Sequence, residues 1–114
     1  MKIKYLALAG LAFGMLTTGS AVFAANKSVI CTPTGVATFP NRIHVRCSQS
    51  FSGIVFFAYR TSDSAGAARN MSMATSALIS GRNVRIFYDP ADQSGSKIGC
   101  NVKDCRLLQG LEIH

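Results

Sequence analysis

Cys31, Cys47, Cys100 and Cys105 are the only cysteines of the chain, and all four follow a segment with the layout of an export leader. Lys2 and Lys4 form a positive N-terminal region. Leu6 to Leu16 is apolar, interrupted only by glycines, and Val22-Phe23-Ala24 has the small residues that signal peptidase needs before its cut. The apolar run is about 11 residues, short of the ~20 that span a bilayer, so an uncleaved anchor is the weaker alternative. Residues 1–24 are therefore expected to be removed near Ala24. Residues 25–114 would then act outside the cytoplasm, in a bacterial periplasm or the medium.

About 90 residues make one domain whose core alone confers marginal stability. An even cysteine count in such a chain points to two disulfides. Three pairings exist. Cys31–Cys47 and Cys100–Cys105 are favoured because each pair flanks a turn-like segment. A zinc site is the rival, but there is no C-x-x-C spacing, and His44 and His114 lie far from both cysteine groups.

Arg42 to Cys47 alternates strictly, with Arg42, His44 and Arg46 on one face and Ile43, Val45 and Cys47 on the other. That period of two predicts a half-buried strand. Ser28–Cys31 and Val36–Phe39 read as short strands, with Thr32 to Gly35 a turn between them and Pro40-Asn41 closing the second. Ile54–Tyr59 lacks alternation and predicts a central strand covered on both faces. Because Phe56 and Phe57 are adjacent, one of them must lie outside the main core.

Residues 65–80 predict the one helix, capped by Ser62, Asp63 or Ser64 and stopped by Gly81. Its buried stripe is expected to carry Ala68, Met71, Thr75, Leu78 and Ile79. Asn83–Tyr88 alternates again. Lys97–Cys100 and Arg106–Ile113 predict a last hairpin, with a bulge near Gly110. This order predicts a mainly β fold with one helix (α+β): a small antiparallel OB-like barrel with the helix plugging one side.

The sequence Asn83-Val-Arg-Ile-Phe-Tyr-Asp-Pro, followed by Gly99-Cys100 and Asp104-Cys105-Arg106, resembles a pattern in small exported bacterial proteins of unknown function. Arg42-Ile-His-Val-Arg-Cys47 and Phe56-Phe-Ala-Tyr59 fit it as well. More distantly, the order of elements from Cys31 to Ile113 is similar to the OB-fold B subunits of AB5 toxins of the subtilase-cytotoxin and typhoid-toxin type. That resemblance implies a pentamer that binds glycans beside a separate toxic subunit. It supplies no sugar-binding motif that carries over residue by residue.

No nucleophile elbow is present, and the mature region holds one glutamate, Glu112. Catalytic chemistry is therefore not expected, and neither is a cofactor. Asp89 to Ser96 offers oxygen ligands but lacks the alternating acids and closing glutamate of a calcium loop, so a solvated turn is expected and no metal. The formal charge of +7 falls to +5 once Lys2 and Lys4 are gone, and arginine supplies most of it. Arginine matches planar anions through its bidentate fork.

The candidate binding residues are Arg42, His44 and Arg46 on one strand face, with Arg85 extending them into a cationic strip if its strand is a neighbour. Tyr59, Phe57 and Phe87 are candidate aromatic platforms of the kind OB folds offer to single-stranded nucleic acid. The expected function is non-enzymatic recognition of an anionic glycan, surface polymer or partner protein, as in a toxin B subunit. The alternatives are a periplasmic interaction or inhibitor module and an exported nucleic-acid binder. Solubilising charge spread over the surface is the simpler explanation of the arginines.

Overall fold

A computed structural model describes residues 26–114. The expected leader, residues 1–24, lies outside the described residues. The chain forms β1 (Lys27–Cys31), β2 (Pro33–Phe39), β3 (Arg42–Phe51), β4 (Ile54–Arg60), α1 (Ser64–Ser80), β5 (Val84–Tyr88), a 3-10 turn (Ser94–Ile98) and β6 (Cys105–Ile113). The six strands form one sheet in the order β1-β5-β6-β4-β3-β2.

The fold is thus mainly β with one α-helix and two disulfides, Cys31–Cys47 and Cys100–Cys105, the favoured pairing. The expected all-antiparallel arrangement needs correction. Four ladders are antiparallel, but β4 and β6 run parallel through Phe56–Ala58 and Cys105–Leu107. The connection between them contains α1 and β5, long enough to reverse direction twice.

Thr32 to Gly35 is not a turn. A single residue, Thr32, separates β1 from β2, and the two segments sit at opposite ends of the strand order. Around this junction Ser48 N–H donates to the Thr32 carbonyl at 2.9 Å, and Thr32 N–H donates to Gln49 Oε1 at 2.9 Å. A backbone donor and a side-chain acceptor of β3 thereby satisfy the polar groups at the bend.

Two tight turns set the registers on either side of β3. Pro40-Asn41 closes the β2–β3 hairpin, with Phe39 opposite Arg42. Ser52 and Gly53 close β3–β4 with φ of 53° and 90°, the positive pair a two-residue hairpin demands. At the far end Phe87 pairs with Gly110 but Tyr88 with Leu108, so Gln109 is the extra residue of the expected bulge.

The main core joins Val45, Cys47, Phe57, Val84, Ile86, Tyr88 and Leu108 to Ala74 and Ala77 of the helix. The helix stripe differs from expectation. Gly66, Ala67, Ala74 and Ala77 are buried, whereas Ala68 is exposed and Ile79 is 79% exposed. Small residues let the helix axis approach the sheet, and this outweighs the larger hydrophobes on the next face. Asp63 is the N-cap, accepting from Gly66 N–H at 3.2 Å, and Gly81 ends the helix at φ 71°.

Lys97–Cys100 forms no strand; the 3-10 turn occupies Ser94–Ile98, so the expected last hairpin is absent. Ala58, Cys100, Cys105 and Leu107 make a second buried cluster on the other side of β4, with Phe56 and Ile98 packed against it. β4 is therefore covered on both faces, as its lack of alternation predicts. Among the described residues no helix is long and apolar enough to cross a membrane.

Candidate functional site

β3 alternates in space as in sequence. Ile43, Val45 and Cys47 are buried, which turns Arg42, His44 and Arg46 to the outer face. The Pro40-Asn41 hairpin then fixes what stands beside them. Phe39 lies opposite Arg42, Ala37 opposite His44, and Gly35 opposite Arg46. On the other flank β4 places Arg60 opposite Arg42, Ala58 opposite His44 and Phe56 opposite Arg46.

Small residues in the middle and aromatic residues at the sides leave an open groove of about 350 Å³. Phe39, His44 and Phe56 form its aromatic boundary, Gly35 and Ala37 its low side, and Arg46 its basic end. The ring of His44 lies 5.3 Å from that of Phe39, edge-on, and 5.7 Å from that of Phe56.

The two arginines differ in kind. Arg42 is held in place: Nε donates to His44 Nε2 at 2.9 Å, Nη1 donates to Asn41 Oδ1 at 2.9 Å, and the guanidinium lies 4.2 Å over the Phe39 ring. The last contact is a cation–π stack. The guanidinium also rests on Gly99, where an added Cβ would come within 2.8 Å of Cζ. Arg46 is exposed, and its guanidinium has no hydrogen-bond or carboxylate partner among the described residues.

His44 Nε2 accepts a hydrogen bond from Arg42 Nε and so is unprotonated at that nitrogen. Burial, and then the adjacent Arg42 charge, hold its pKa below the ordinary 6.5, with Asp104 opposing weakly.

The remaining sequence candidates lie elsewhere. Arg85 is on β5, which neighbours β1 and β6 but not β3, so it does not extend the Arg42–His44–Arg46 face. It pairs instead with Glu112 across β6 at 3.1 Å. Tyr59 sits opposite Ile43, on the core side of β4, and packs against the main core. Its hydroxyl donates to Asp63 at 2.6 Å, which raises the phenol pKa and lowers that of the carboxyl, helped by Gly66 N–H. Tyr59 thus braces the helix cap and is no platform beside the arginines.

Phe57 is fully buried, and Phe87 is 38% exposed on β5, away from the groove. Cys31, Cys47, Cys100 and Cys105 are all oxidised. Among the described residues no group of three metal-ligating side chains converges.

Sequence reasoning missed the β2 half of the site: Gly35, Ala37 and Phe39. The signal was the two-residue loop Pro40-Asn41, which dictates the pairing of β2 with β3 once both strands are recognised. No family model matches the chain, and neither a curated protein nor a solved structure matches it.

Proposed function

We propose that the chain is an exported, non-enzymatic binding domain whose groove on β2, β3 and β4 takes an anionic partner: a glycan, a surface polymer or a protein. The observation that carries this reading is Arg46. It is an exposed guanidinium without a partner among the described residues, at the end of a groove whose other boundaries are aromatic and small apolar side chains. A cation kept only for solubility has no reason to stand at the end of such a groove. Arg42, stacked on Phe39 and tied to His44, adds a fixed positive charge beside it.

An OB-type barrel is the architecture that fits this reading. If β1 and β2 are counted as one bent strand through Thr32, five strands remain, with α1 after the third. OB folds bind oligonucleotides and oligosaccharides on the face of their second and third strands, here β3 and β4, and the likeness in element order to toxin B subunits points the same way. Two disulfides in a domain of this size agree with a periplasmic or extracellular site of action.

The test is binding of the oxidised protein to an array of acidic and neutral glycans and to immobilised anionic polymers. Arg46→Ala is expected to reduce any anion-dependent binding at least tenfold, with Arg85→Ala as the unaffected control. Equal binding by Arg46→Ala and the parent would remove the groove from consideration.

A further inference from the structure

β2 has a second property that the groove alone does not explain. Among the described residues it is a terminal strand of the order, paired only with β3. No backbone hydrogen bond joins Gly35–Phe39 to any described residue outside that ladder. In a two-residue hairpin the closing pair, Phe39 and Arg42, is hydrogen-bonded, and antiparallel pairs alternate from there. Val36 and Thr38 therefore turn their N–H and C=O groups away from β3, toward the free edge.

Edges of this kind are ordinarily blunted by charged side chains, a bulge or a covering element. β2 reads Pro-Thr-Gly-Val-Ala-Thr-Phe and carries no charge; its proline and its register shift lie at the Pro33–Gly35 end, leaving Val36 to Phe39 regular. The helix packs against β2 on its core side and Val36 is half-buried there, whereas Ala37, Thr38 and Phe39 are exposed, so the edge is open at that end.

We propose, on the basis of the groove reading above, that β2 accepts an extended peptide segment of a partner protein as an additional strand, and that this segment carries an apolar residue and an acidic residue two positions apart. Main-chain hydrogen bonds to Val36 and Thr38 supply the affinity, and side-chain pockets at every second position supply the selection. A residue of the incoming strand opposite Ala37 meets little side chain there and reaches over it toward Phe39, His44 and Phe56.

Two positions on, opposite Gly35, there is no side chain at all. A Cβ at Gly35 would lie in ordinary contact, 3.9 Å, with the Cβ of Arg46. The incoming strand and β3 are then two strand spacings apart, about 9.6 Å. An arginine and a carboxylate span that distance across a glycine. The charge selects the occupant: a second copy of this basic chain would bring more arginine to the same edge, whereas an acidic segment neutralises Arg46.

The experiment selects a displayed library of random heptapeptides on the oxidised protein, then measures the enriched peptides by fluorescence polarisation. Enriched sequences are expected to pair an apolar residue with Asp or Glu at a spacing of two. Arg46→Ala should weaken them at least tenfold. Thr38→Pro should do the same, because proline deletes an outward N–H at an edge where no native bond is lost. Circular dichroism and the thermal midpoint confirm that Thr38→Pro still folds, and a peptide methylated at the matching backbone nitrogen gives the same readout on the unmutated protein.

Failure to enrich, or peptides that bind Thr38→Pro as well as the parent, would overturn the strand addition. So would a stable oligomer of this chain that Thr38→Pro dissociates, since a second copy would then own the edge. If Arg46-dependent binding of an acidic oligosaccharide survives Thr38→Pro while no peptide binds, only the strand addition fails and the anionic groove stands.

Discussion

At the scale of the residue, the alternation of β3 made Arg42, His44 and Arg46 legible as one face, because burial of Ile43, Val45 and Cys47 leaves no other choice. Which arginine is free was not legible. That depends on Asn41, Phe39 and Gly99 reaching Arg42, and all three lie outside β3. The partial burial of His44, with the Arg42 charge beside it, has a measurable consequence. The folded-state pKa of His44 lies below 6.5, near which the unfolded chain titrates. As pH falls below about 6.5 the unfolded state binds more protons than the folded state, so the stability present above that pH is lost toward the lowered folded value. Urea midpoints measured from about pH 7 to 5 should therefore decline. His44→Gln, which keeps an acceptor for Arg42 but does not titrate, should flatten the decline. An unchanged slope in that variant would show that His44 is not the group responsible.

Individual elements were legible in proportion to how local their causes are. Gly81 and Asp63 mark the helix ends through contacts within a few residues, and both act as expected. The buried face of α1 was misassigned because spacings of three and four also join Ala68, Met71, Thr75, Leu78 and Ile79, whereas the residues buried are the small Gly66, Ala67, Ala74 and Ala77. Lys97–Cys100 lost its strand to a turn that packs Gly95 against Cys100. The N-terminus of the helix yields a prediction opposite to propensity. Replacing a helical glycine by alanine ordinarily gains up to ~1 kcal/mol. At Gly66 the new Cβ would stand 2.7 Å from the Tyr59 hydroxyl and 2.9 Å from Asp63 Cγ. The carboxylate must leave the cap to admit it, breaking its bonds to Gly66 N–H and Tyr59. Gly66→Ala is therefore expected to lower the thermal midpoint, and a rise would show that the Tyr59–Asp63 brace contributes nothing.

The whole molecule was least legible, because strand order depends on partners far apart in the chain. The parallel ladder of β4 with β6, and the placing of Arg85 on strands away from β3, both follow from that order. The cysteine pairing was legible because each pair flanks a turn-like segment: the Pro40-Asn41 turn lies between Cys31 and Cys47, and residues 102–104 form one between Cys100 and Cys105. In the chain-entropy model the 16-residue separation of Cys31 and Cys47 is worth ~3 kcal/mol, and the 5-residue separation of Cys100 and Cys105 ~2 kcal/mol. Paired alanine substitutions should reproduce that ranking in urea unfolding; equal or reversed costs would point to strain or residual denatured structure instead. The strands that change partner give the two bridges a further meaning. The β1–β2 segment leaves β5 for β3 at Thr32, next to Cys31, while β6 begins at Cys105 on β4 and finishes on β5. Each crosslink is thus sewn into a seam where the two halves of the sheet are joined by one continuous piece of backbone. A chain that never meets an oxidant lacks both stitches at once, so oxidation secures together the two places where the halves of the sheet are joined.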